Sequence, residues 1–126
     1  MPHKMYVEGD KLVVEFEGLE ELAAFKRRLE FSLNNIVSVS TEPHKWIEGI
    51  RVAGTGLPGV IKEGRYEVNG KRVFFAMRNP DRCVTVDFKN EPYDEIVIEV
   101  EDKEEVKRML SKYVREVADP GASSAD

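Results

Sequence analysis

Residues 60–88 read V-I-K-E-G-R-Y-E-V-N-G-K-R-V-F-F-A-M-R-N-P-D-R-C-V-T-V-D-F. Two strand-like runs, 60–68 and 71–78, flank Asn69-Gly70. That dipeptide accepts positive φ at both central positions of a two-residue hairpin turn, so the runs are predicted to pair. Asn79-Pro80-Asp81-Arg82 is a second turn, with proline at its favoured position. Val84, Val86 and Phe88 then alternate with Cys83, Thr85 and Asp87 and face a core. Asn90 to Asp94 make a third turn. Ile96, Ile98 and Val100 line the last strand. From Val60 onward this order predicts a meander.

Two-residue periodicity extends towards the N-terminus. Met5 to Glu8 form a short strand, turned at Gly9-Asp10 onto a second in which Leu12, Val14 and Phe16 face inward. Leu19, Leu22, Phe25 and Leu29 recur at helical spacing and predict a short helix over 19–27. A long strand follows through Leu29, Phe31, Leu33, Val37 and Val39. Asn34-Asn35 bends it and Pro43 ends it. Residues 43–58 are the longest irregular stretch, with Ile50-Arg51-Val52 as a short strand inside it. Asp102, with Glu105 three residues on, opens an amphipathic helix whose stripe is Val106, Met109, Leu110, Tyr113, Val114 and Val117. The sum is a mainly β domain over residues 5–117. It has seven or eight antiparallel strands in a small barrel, and the final helix covers one open end. Residues 118–126 carry no core residue and are predicted to be a disordered tail.

The chain of 126 residues is one domain's length. Hydrophobic content of 41% and charge of 34% suit a globular protein with a core. A net charge of −5 argues against bulk nucleic-acid binding, which needs a basic surface. The charge is uneven. Residues 43–82 carry eight Lys/Arg against four Asp/Glu, a net of +4, whereas residues 83–126 carry six against twelve, a net of −6. The single cysteine, Cys83, leaves no internal disulfide and no cysteine-based zinc site. With no signal-like run and no apolar stretch of membrane length, the expectation is a cytoplasmic protein.

Several stretches resemble small bacterial pleckstrin-homology-like proteins. They are L-A-A-F-K-R-R-L-E-F-S-L-N-N-I-V-S-V at 22–39, I-R-V-A-G-T-G-L-P-G-V-I-K-E-G at 50–64, V-F-F-A-M-R-N-P-D-R-C-V-T-V-D-F at 73–88 and Y-D-E-I-V-I-E-V-E-D at 93–102. The most specific piece is R-x-x-G-T-x-x-P-G: Arg51, Gly54, Thr55, Pro58 and Gly59. The resemblance implies a small barrel capped by a C-terminal helix, with no enzymatic activity and a tendency to self-associate. Phosphoinositide-binding relatives carry a basic motif across the first two strands. Here that region offers Lys11, Glu15 and Glu17, which does not support it.

The candidate sites follow from residue type. Arg51 with the N–H groups of the 54–59 loop is suited to a phosphate or carboxylate, with Lys45, Gly54, Thr55, Gly56, Lys62 and Arg65 as its companions. The same glycines, stiffened by Pro58, also describe an ordinary structural loop. Lys62, Arg65, Lys71, Arg72, Arg78 and Arg82 are distributed over both strand phases and suit a solvated hairpin. Trp46 is a candidate contact residue. Val13, Ile36, Phe74 and Val97 are candidate interface residues if exposed on outward phases. His44 and His3, the latter in a terminus expected to fray, do not make a metal site. Cys83 has no identifiable base and is expected to be a passive thiol. An enzyme rival would gather Arg51, His44 and Asp81 around one pocket. The expectation is a non-catalytic binding or assembly module without metal or cofactor, engaging a protein partner or a second copy. Its alternative is an anionic ligand or membrane phosphate held by the basic glycine-rich loop over 45–65.

Overall fold

The computed structural model describes residues 2–17, 28–42 and 62–114. These form eight strands: β1 (Lys4–Glu8), β2 (Lys11–Glu15), β3 (Arg28–Ser32), β4 (Ile36–Ser40), β5 (Lys62–Val68), β6 (Lys71–Met77), β7 (Cys83–Phe88) and β8 (Glu95–Glu99). One helix, α1 (Lys103–Ser111), follows. The expected helix over 19–27, the irregular stretch 43–58 and the tail 118–126 lie outside the described residues.

The turns follow their chemistry. Asn69 and Gly70 take φ of 53° and 81°, as a two-residue hairpin requires, and β5 pairs with β6 from Lys62↔Met77 to Val68↔Lys71. The Asn79 side chain accepts from the Asp81 N–H, and Pro80 opens a single 3-10 turn. Asp102 accepts from the Glu105 N–H at 3.1 Å and starts α1 as predicted.

Strand order departs from the expectation. The strands form a three-stranded sheet, β1-β2-β3, and a five-stranded sheet, β4-β7-β8-β6-β5, and among the described residues they do not close into a barrel. The predicted meander would put β7 beside β6. Instead β8 lies between them, parallel to β6 and antiparallel to β7. Burial explains the choice. All of Val73–Met77 is buried on β6, and Ile96–Glu99 is buried on β8. Strands apolar on both faces belong at a sheet's centre. Alternation reveals a strand, but it does not name the strand's neighbour.

The sheets are stitched at two places. A 3-10 turn over Leu33–Asn35 carries β3 into β4, and the Glu91 carboxylate accepts there from the Ser32 N–H and Asn35 Nδ2 at 2.9 and 2.8 Å. At the other place His3 forms a parallel bridge with Val100, and its N–H donates to the Glu99 carbonyl at 2.8 Å. Between the sheets lies the main core: Leu12, Val14, Phe31, Phe74, Val84, Val86, Ile96 and Ile98, with Val106 and Leu110 from α1. Val73, Phe75, Met77, Cys83 and Val97 form a second apolar cluster.

This layering corrects the interface expectation. Val13, Ile36 and Val97 are fully buried and Phe74 is 5% exposed. Phe74 and Ile36 pack in the main core, and Val97 in the second cluster. Phase analysis assumed one wet face per strand, whereas the centre of the larger sheet is buried on both. Val37 is the exposed large hydrophobic side chain among the described residues. Trp46 lies outside them.

Candidate functional site

A cleft of about 500 Å³ opens where β1 passes the start of α1. Pro2, Met5, Val100 and Val106 give it an apolar floor, and Glu17, Glu101, Asp102 and Glu105 line it with carboxylates. His3, Lys4 and Tyr6 complete the wall. Topology brings these residues together. The His3–Val100 bridge aligns the chain start with the end of β8, and Asp102 turns the chain into α1 immediately afterwards.

His3 is the informative residue. It is 5% exposed, stacks edge-on against Phe16 at 5.4 Å, and its Nδ1 accepts from the Glu17 N–H at 3.0 Å. Burial, with help from the nearby N-terminus, pushes its pKa below the ordinary 6.5. The ring is therefore neutral at pH 7, with its proton on Nε2 because Nδ1 is an acceptor. Among the described residues Nε2 has no hydrogen-bond partner. The expectation of a frayed terminus missed this residue. The signal was present: His3 shares the inward phase of Met5 and Val7.

Several carboxylates of the rim are already partly occupied. Glu17 pairs with Lys4 at 3.5 Å and Glu105 with Arg108 at 3.6 Å, both at exposed positions where such pairs are weak. A second cleft, about 410 Å³, lies between β3 and the β7–β8 loop. Its charged residues, Arg28 and Glu30, bond to each other at 2.9 Å. Arg28 also reaches Glu8 and Glu15, so this guanidinium clasps all three strands of the smaller sheet.

Of the residues singled out in the sequence, Lys45, Arg51, Gly54, Thr55 and Gly56 lie outside the described residues, as does His44. Lys62 and Arg65 both belong to β5. Arg65 is exposed. Arg72 is held by Asp94 at 3.0 Å. Asp81 is an exposed turn residue.

Cys83 is buried, donates to the Asn79 carbonyl at 3.4 Å, and has its thiol pushed up to about 12, chiefly by burial and then by Glu99. A thiol reagent in native buffer is expected to label it only through opening of the fold, with urea releasing fast reaction. Labelling within seconds without denaturant would contradict that environment.

Asp87 and Glu95 stand directly opposite on β7 and β8. Asp87 Oδ2 accepts from Ser38 at 2.7 Å, while its Oδ1 is buried without a partner. Burial first, and Asp87 second, raise the Glu95 pKa above its ordinary 4.5. A raised carboxyl contributes stability below its unfolded pKa and loses it as pH rises through the folded value. At pH 7 the pair is a like-charge contact. Glu95→Gln should stabilise the fold there by about 1 kcal/mol and flatten the pH dependence above pH 4.5, read by urea denaturation. Unchanged stability at pH 7 would count against the facing pair.

Among the described residues no group of three or more His, Cys, Asp or Glu is placed to hold a metal ion, and no helix is long and apolar enough to cross a membrane. No protein-family model, curated protein or solved structure matches this chain.

Proposed function

We propose that this protein is a non-catalytic binding module that docks an extended segment of a partner protein in the β1–α1 cleft. The observation that carries this reading is the cleft itself, in which Met5, Val100 and Val106 lie beside a rim of polar side chains. Such clefts hold ligands through buried apolar area and a few placed polar groups. The pleckstrin-homology-like expectation supports the module role through the quoted stretches. The parallel β6–β8 pair departs from an all-antiparallel barrel, so the reading takes from that likeness the β scaffold and its terminal helix. The anionic-ligand alternative rests mainly on residues 45–56, outside the described residues.

Covalent tethering tests the reading, because native Cys83 is buried and away from the cleft lining. Glu101→Cys places a thiol at the cleft, and Lys89→Cys places one on a distant exposed turn. Disulfide-capped short peptides should be captured at position 101 well above position 89. Equal capture at both would remove the support.

A further inference from the structure

We infer that Asp87 and Glu95 form a proton-dependent latch in the larger sheet: in mild acid one proton joins their carboxyl groups, and at higher pH its loss leaves two like charges facing each other. The inference is independent of the docking reading. β7 and β8 pair in antiparallel register with Asp87 directly opposite Glu95. Opposite residues of such a pair project from one face with Cβ atoms about 4.5–5.5 Å apart, within reach of a carboxyl–carboxyl hydrogen bond. Both side chains are half-buried.

A bare oxygen gives the proton its place. Ser38 on β4 donates to Asp87 Oδ2 at 2.7 Å, whereas Asp87 Oδ1 is buried with no hydrogen-bond partner. A buried acceptor left open costs free energy. Protonated Glu95 is a donor on the neighbouring strand, and its O–H bond to a carboxylate is of the short, charge-assisted kind. When Glu95 releases that proton to solvent, Oδ1 is open again and the two charges repel.

The surroundings favour neutral Glu95. Burial acts first and Asp87 second; Lys71 on β6 opposes them, and Asp94 adds a smaller push. Arg72 holds Asp94 at 3.0 Å. Beyond Asp87, β4 carries no charged residue over Ile36–Ser40. On its other side Glu95 meets Val73 of β6. Along the shared face the next pairs are Thr85 with Val97 and Cys83 with Glu99. Glu99 is engaged by the Arg78 and Asn79 N–H groups. Helix α1 packs Val106 and Leu110 into the main core with Val86 and Ile96, which have the opposite phase.

Side-chain carboxyl carbons would be followed by NMR from about pH 3 to about pH 8. A shared proton makes the groups titrate as a pair, so the Asp87 and Glu95 signals should move together in a step above the ordinary Glu value of 4.5. Asp87→Asn, nearly isosteric, should shift the Glu95 step to lower pH. Glu95→Gln offers an N–H donor that no pH removes. Its urea midpoint should exceed the native one at about pH 7.5 and approach it at about pH 4, because a raised carboxyl loses its contribution as pH rises through the folded value. His3, with a lowered pKa, pulls the other way in both proteins and cancels in the difference. An Asp87 signal that stays still through the Glu95 step, with that step unmoved by Asp87→Asn, would overturn the latch. So would a Glu95→Gln midpoint that tracks the native one at both pH values.

Discussion

Phe31→Ala is expected to lower stability by about 3–5 kcal/mol, the range for removing a buried aromatic. Phe31 on β3 is 3% exposed and stacks on Phe88 of β7 at a centroid distance of 4.4 Å. Tyr93 meets it edge-on at 6.5 Å. The ring therefore joins the smaller sheet to the larger one. Its loss forfeits the transfer energy of a buried aromatic and leaves a cavity between the two sheets. Urea denaturation should show a lower midpoint with an unchanged slope. A loss below about 1 kcal/mol would mean that the sheets are not coupled through this stack.

Glu99→Ala is the second large effect, expected at about 2–3 kcal/mol. Glu99 is 6% exposed, and its Oε1 accepts from the N–H groups of Arg78 and Asn79 at 2.7 and 3.1 Å. The carboxylate thus satisfies two backbone donors where β6 ends and the chain crosses over β8 to reach β7. Alanine orphans both donors at once. Glu99→Gln keeps an acceptor oxygen in place and should recover most of the loss. If alanine and glutamine behaved alike, the carboxylate's role would be its charge and not its two bonds.

The local elements were legible because their signals are local. Asn69-Gly70, Pro80 and Asp102 each act through their own backbone geometry, so the hairpin, the second turn and the start of α1 stand where the residues imply. Inward phases were legible where one face is wet, as on β3, where buried Phe31 follows exposed Glu30. Long-range order was not legible. Nothing in residues 71–99 states that β8 inserts between β6 and β7, because the reward for that order is burial on both faces of the sheet's centre. Phe74 and Val97 were misassigned for the same reason. Glu99 and His3 were missed because each works through partners distant in sequence. Glu99 serves Arg78 and Asn79, and His3 joins Glu17 and Val100. The basic glycine-rich loop drew notice through composition, whereas the cleft is assembled from residues 2–6, 17 and 100–106, which share no motif.

The most direct test of the central claim is to map backbone amide resonances while titrating a mixture of short extended peptides. Placing recognition at the β1–α1 cleft predicts shifts concentrated at residues 3–6, 17 and 100–106, with the β5–β6 hairpin unmoved. Shifts concentrated in residues 62–82, with the cleft silent, would contradict it.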